Sequence, residues 1–205
     1  MKNLALVHLC RHGKVFNPDR ILYSRLPGFH LSEEGQAMAD GLAKFFADTP
    51  LNYLGSSPME RAQETMAPIA KLHPGLEVVT DTRLTEAASR LQGQAKGLWS
   101  LRLIKPANWR YFIDFRRPGW GEGFAAMGSR VTEAIADAGR MVGPGGQAVL
   151  ISHQGPIWAA RRMAEAKFLF NVPATRRCRL ASVTTFTVTE SGRVGFQSYL
   201  EPVRI

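Results

Sequence analysis

Leu4 to Cys10 is a short, mostly apolar run, and its continuous character predicts a strand covered on both faces. An Arg-His-Gly tripeptide follows at its end. From Val15 to His30 the chain carries two prolines and neither a helical nor a strand period, so it reads as a loop, with Ser32 behind it as a helix N-cap. Met38, Leu42, Phe45 and Phe46 recur at helical spacing and predict an amphipathic helix to about Asp48. LNYLGS, ending at Ser56, predicts a second strand, and Ser57-Pro58 a helix start running to about Leu72. Pro68 has no N–H to donate, so a kink or an early end is expected there.

Leu76 to Val79 is a third candidate strand. The stretch from Glu86 to Gly119 has only a weak pattern and many basic residues, and it reads as a lid inserted at about 88–119. Phe124, Met127, Val131, Ile135 and Ala138 mark another amphipathic helix, ended by GPGG at Gly143 to Gly146. Gln147 to Ser152 is a strong strand signal, with His153 at its end and Gly155-Pro156 opening a helix. SVTTFTV and RVGFQSYL close the chain around a Ser191-Gly192 turn. Strands alternating with helices in this order argue for an α/β sheet covered on both faces, with no internal repeats.

At 205 residues the chain fits one domain, since domains average about 150 residues. With 45% hydrophobic and 21% charged residues it is an ordinary globular composition, which excludes intrinsic disorder. The two cysteines, Cys10 and Cys178, lie far apart in sequence, which fits reduced thiols in a cytosolic protein and argues against zinc. The net charge of +9 and pI near 10.1 favour anionic partners without naming one. MKNLALVHLC is interrupted by His8 and lacks a cleavage site, so it reads as a buried strand and not as a signal peptide. No apolar stretch approaches the 18 or so residues of a membrane span, and the expectation is a soluble, cytoplasmic protein.

In open α/β sheets ligands bind beyond the carboxyl ends of the strands, so polar residues there carry functional weight. Three ends stand out: Arg11, His12 and Gly13 after the first strand; Ser56, Ser57 and, one turn on, Arg61 after the second; Ser152 and His153 after the later one. A lone strand-end histidine is more often structural, and the conjunction of two imidazoles with two guanidiniums is the signal. LCRHG, SSPMERAQET at Ser56 to Thr65, LTEA at Leu84 to Ala87 and LISHQG at Leu150 to Gly155 resemble, in order and spacing, the histidine phosphatase superfamily, also called phosphoglycerate-mutase-like. The resemblance covers most of the chain. It implies a three-layer α/β/α sandwich with a mostly parallel sheet and a phosphohistidine enzyme with His12 as nucleophile. It also implies Arg11, Arg61 and His153 in the phosphate pocket, Glu86 as acidic proton donor, and Asn17 facing the phosphate.

A phosphate monoester is dianionic near neutral pH, and its repulsion of a nucleophile must be offset by fixed positive charge. Two arginines can grip the non-bridging oxygens by charge-assisted bonds, so no metal or other cofactor is expected. A neutral imidazole attacks phosphorus when a backbone carbonyl holds its other nitrogen, and Gly13 would let the chain turn close behind it. The alkoxide is a poor leaving group and needs a proton from a carboxylic acid, the role expected of Glu86.

Several positions depart from the family pattern. Gly28 falls where an aspartate is common, His30 replaces a proline, Ser32 a threonine, Gln92 an acidic residue, and Gln154 a glycine. Gly121, Glu122 and Gly123 are similar to a GES turn that opens a helix in relatives. Arg90, Lys96, Arg102, Arg110, Arg116 and Arg117 read first as a solvated face and second as contacts to another anionic group of a substrate. Arg176, Arg177 and Arg179 are expected on the surface, His8 and His73 in structural roles, and Trp99, Trp109 and Trp120 as packing or lid anchors.

The function expected is therefore a metal-independent phosphatase acting on a small phosphorylated metabolite. The alternatives are a mutase using the same phosphohistidine and, in a different class, a non-catalytic anion binder. Retention of Arg11, His12, Arg61, Glu86 and His153 argues against the last. No nucleic-acid motif is present, neither a specific nucleic acid nor a membrane is expected as a partner, and the oligomeric state is left open.

Overall fold

The computed structural model describes residues 4–89, 92–93, 121–169 and 177–203. The proposed lid at 88–119, with its arginines and tryptophans, lies almost entirely outside the described residues, as does Arg176. Six strands, β1 (Ala5–Arg11), β2 (Leu51–Ser56), β3 (Val78–Thr80), β4 (Gln147–Ser152), β5 (Val183–Val188) and β6 (Val194–Leu200), form one sheet in the order β3-β2-β4-β1-β5-β6. The first four are parallel neighbours, and β5 and β6 add an antiparallel edge.

The described helices are α1 (Glu33–Phe46), α2 (Glu60–Leu72), α3 (Phe124–Val142) and α4 (Gln154–Ala164). β4 shows why the sheet needs cover on both sides. Its Ala148 and Leu150 join a core with Val7, Leu9, Ile135 and Ile157 on the α3–α4 side, while Val149 and Ile151 join Leu42, Phe46, Met66 and Ile69 on the α1–α2 side. Successive side chains on a strand point to opposite faces, so a continuous apolar run is stable only between two layers. Each large side chain fully buried there contributes about 1.5 to 3 kcal/mol.

Local signals account for most boundaries. Ser32 caps α1 by accepting the Gly35 N–H at 3.1 Å, behind an acidic first turn of Glu33 and Glu34. α3 ends at Gly143, whose φ of 69° few other residues adopt readily. His73 donates to the Phe46 carbonyl, and His8 bonds Thr185 and Gln147, the structural roles expected.

Two expectations need correction. α2 does not end early but continues past Pro68 to Leu72, because Met66 and Ile69 bury in the core and their packing offsets one missing hydrogen bond. Ser57 does not cap α2, which begins at Glu60 after Met59; its hydroxyl accepts from the Met59 N–H at 3.4 Å and bonds His153 Nε2.

Candidate active site

The strand order brings the suspicious ends together. β1 and β4 are parallel neighbours with Arg11 opposite Ser152, and the His12 N–H continues the ladder by donating to the Ser152 carbonyl at 3.1 Å. Ser57 N–H does the same to the Ile151 carbonyl at 3.0 Å from the other side of β4. His12 and His153, 141 positions apart in sequence, thus face one another with ring centroids 5.1 Å apart.

The His12 ring is buried, and its Nδ1 lies 2.7 Å from the Gly13 carbonyl oxygen. A carbonyl can only accept, so Nδ1 carries a proton, and in the neutral ring the lone pair sits on Nε2. The chain behind it is held by close packing. Gly13 N–H donates to Thr65 Oγ1, and a side-chain carbon at Gly13 would lie 2.5 Å from the Gly35 carbonyl oxygen of α1. Glycine is needed here for this approach of helix to loop and not for the turn expected from the sequence. Gly13→Ala is expected to lower stability by about 1 to 3 kcal/mol, with His12 displaced, read as a reduced midpoint in thermal melts and reduced turnover.

Arg61, in the first turn of α2, is the largest fully buried side chain among the described residues. Its Nη2 donates to the Ser24 carbonyl at 2.8 Å and its guanidinium lies 4.8 Å from the Tyr23 ring centre, while Nε and Nη1 have no hydrogen-bond partner among the described residues. Burial lowers its pKa, against the opposite pull of Tyr23, Glu86 and Glu60. Arg11 is held by one bond, Nη1 to the Cys178 carbonyl at 2.7 Å, and its buried Nε is likewise unpartnered. His153 is fully buried, with Nε2 hydrogen-bonded to Ser57 Oγ at 2.9 Å and Nδ1 unpartnered among the described residues.

Burial, followed by the nearby His12, Arg61 and Arg11, pushes the His153 pKa well below 6.5. The neutral ring is therefore the native form near pH 7. Between the ordinary value and the lower native one only the unfolded chain takes up a proton, so stability falls as pH drops through that window. The wild-type melting midpoint should fall more from pH 6.5 to 5 than that of His153→Gln, as differential scanning calorimetry would show. His30, whose pKa is raised by Glu64, acts in the opposite sense but equally in both proteins.

Glu86 follows the short 3₁₀ turn Thr82–Leu84. Its Oε1 accepts the Ala87 N–H at 2.9 Å and lies where a side-chain carbon on Gly155, in the first turn of α4, would come within 2.9 Å. Asn17 lies in the loop after β1. Its amide accepts from Ile21 N–H and donates to the Ile21 carbonyl, so it braces its own loop.

Sequence reasoning missed Tyr23 and Ser24, which hold Arg61, the Cys178 carbonyl, which holds Arg11, and the roles of Ser57 and Thr65. Tyr23 and Ser24 carry no periodic signal, although Ser24, at φ 39°, is in a region that non-glycine residues enter only when their surroundings hold them there. Among the described residues no cluster of three or more His, Cys, Asp or Glu side chains forms a metal-ligand set, and no helix is long and apolar enough to cross a membrane.

The buried Arg61 and the half-buried Arg11 stand with the paired histidines at parallel strand ends, an arrangement whose chemistry suits a compact, multiply charged anion. The chain belongs to the histidine phosphatase superfamily (branch 1), whose family model matches residues 7–197. It is 40% identical over 199 residues to the uncharacterised Mycobacterium tuberculosis protein Rv0525, covering 97% of each chain. In fold it is similar to the mycobacterial glucosyl-3-phosphoglycerate phosphatase Rv2419c, with 23% identity, 95% and 96% of the chains covered and a TM-score of 0.76. An Entamoeba histolytica phosphoserine phosphatase in complex with 3-phosphoglyceric acid is also similar, with 18% identity, coverage of 96% and 97% and a TM-score of 0.73.

Proposed function

We propose that this protein is a metal-independent phosphatase that hydrolyses a small phosphate monoester through a phosphohistidine at His12. The observation that carries the reading is the set of buried nitrogens without partners among the described residues, Arg61 Nε and Nη1, Arg11 Nε and His153 Nδ1, gathered around the buried His12. Buried donors are costly to leave unpaired, the cationic ones most of all, and the non-bridging oxygens of a phosphoryl group would supply their missing acceptors. The similar structures named as phosphatases support the same chemistry.

In the first half-reaction His12 Nε2 attacks phosphorus, the bond to the ester oxygen breaks, and Glu86 gives that oxygen its proton so that a neutral alcohol departs. The positive charge developing on the ring is stabilised by the Nδ1–H bond to the Gly13 carbonyl. In the second half, water attacks the phosphohistidine, the P–N bond breaks, and the Glu86 carboxylate takes the water's proton. Arg11 and Arg61 hold the equatorial oxygens throughout and balance their charge.

Arg61→Ala should lower kcat/KM about tenfold to hundredfold, the scale of one charge-assisted bond of about 1.5 to 3 kcal/mol. Arg179→Ala, whose side chain is 81% exposed, should change it little. Equal effects from both would mean that bulk charge and not a pocket governs binding. The reading is tested by phosphate release from a panel of phosphorylated metabolites in the presence of a chelator. Release is expected, with His12 needed for it, whereas activity that returns only with a divalent ion would overturn the mechanism. Return of the phosphoryl group to another hydroxyl of the substrate would identify a mutase.

A further inference from the structure

Beside the phosphoryl pocket lies a cavity of about 600 Å³ bounded by Arg25, Ala88, Glu122 and the first turn of α3, a size that suits the remainder of a small-molecule substrate. The geometry points to Arg25 as a specificity-determining residue that selects phosphate monoesters bearing a second anionic group. The inference rests on the phosphatase reading above and adds the class of substrate.

The dipeptide Ser24-Arg25 joins the two spaces. The Ser24 carbonyl accepts from Arg61 inside the phosphoryl pocket, and Ser24 Oγ donates to the Ala87 carbonyl at 2.6 Å. Arg25, the next residue, donates from Nε to the carbonyl of Glu86 at 2.6 Å. A ligand whose phosphoryl group sits on Arg61 and whose ester oxygen meets Glu86 therefore has Arg25 as its neighbour on the outer side.

The charge count on this wall favours an anion. Glu122 is matched by Arg130, which donates from Nε to Oε1 at 2.6 Å and from Nη2 to Oε2 at 2.9 Å. Arg25 Nη2 joins the same Oε2 at 3.1 Å, so two cations share one carboxylate and one positive charge is left over. That charge is on the cavity side. Arg25 lines the cavity, and its side chain is 40% exposed against 18% for Arg130. Ala88, Ala125 and Ala126 on the same wall are small and uncharged, which leaves room for a carboxylate or second phosphate to reach the guanidinium.

The test uses matched substrates that differ in one charge: 3-phosphoglycerate against glycerol 3-phosphate, and phosphoglycolate against 2-hydroxyethyl phosphate. In the wild type at least one acidic member should exceed its alcohol partner in kcat/KM by about tenfold to hundredfold, mainly through KM. Arg25→Gln should abolish that ratio and Arg25→Lys should keep most of it. Because the ratio is taken within one protein, a general loss from loosening the Glu86 carbonyl cancels. Wild-type ratios near one for both pairs, a ratio unchanged in Arg25→Gln, or no turnover of any of the four while p-nitrophenyl phosphate is cleaved, overturns the role of Arg25. Absence of His12-dependent cleavage of p-nitrophenyl phosphate itself would instead remove the phosphatase reading on which the inference stands.

Discussion

His12→Ala is expected to lose at least about 10⁴-fold in kcat/KM, the scale seen when a covalent nucleophile is removed and only binding and electrostatics remain. The expectation follows from the ring's setting. Nδ1 is committed to the Gly13 carbonyl, which fixes the reactive lone pair on Nε2, and the loop behind is held by Thr65 and by the contact with Gly35. Rapid quench of the wild type with labelled substrate should trap an acid-labile, base-stable phosphoprotein. The variant should trap none. Label recovered on another residue of His12→Ala would show that the nucleophile has been misassigned.

Glu86→Gln should cost about 10²- to 10⁴-fold on alkyl phosphates, the usual worth of general acid catalysis. The amide oxygen of glutamine can still accept the Ala87 N–H, so the substitution removes the proton and leaves the local hydrogen bond. Aryl phosphates should suffer less, since a nitrophenolate leaves without a proton. The comparison belongs on the burst of phosphoenzyme formation, because hydrolysis of phospho-His12 can limit the steady state and also involves Glu86. Equal burst losses for alkyl and aryl substrates would take the acid role away from Glu86 and leave it a residue that shapes the pocket.

One departure from the family pattern in the first loop, His30, has a structural use, and backbone N–H groups on either side of it add to the effect. Gly28 N–H donates to Glu60 Oε1 at 3.0 Å, Leu31 N–H to Glu64 Oε2 at 2.7 Å, and His30 pairs with Glu64. These bonds strap the loop to α2, the helix that also carries Arg61. The strap therefore places Tyr23 and Ser24 against the guanidinium they hold, and an altered loop polarity is compatible with an unchanged phosphoryl pocket.

Much of the fold was legible along the chain because the forces that set it act locally. The period of apolar residues marked α1 and α3, Ser32 marked the start of α1, Gly143 the end of α3, and the continuous run Gln147 to Ser152 marked a strand buried on both faces. That Arg11, His12 and His153 stand at strand ends was also legible, since a strand end is a readable position, while Arg61 and Glu86 were picked out by motifs that resemble a family. What the sequence could not determine is which ends become neighbours. Strand order is decided by packing across the whole sheet, and it is the insertion of β4 between β2 and β1 that sets His153 beside both Ser57 and His12. The same holds for Pro68, where core burial outweighed a local helix breaker, and for Ser57, where a hydroxyl that looked like a cap was drawn to a histidine 96 positions away. Arg25 is the sharpest case. Nothing near it in sequence is acidic, and only the tertiary structure brings Glu122 and the Glu86 carbonyl to it, because hydrogen bonds and charge pairs form between groups that the packed backbone has already made adjacent.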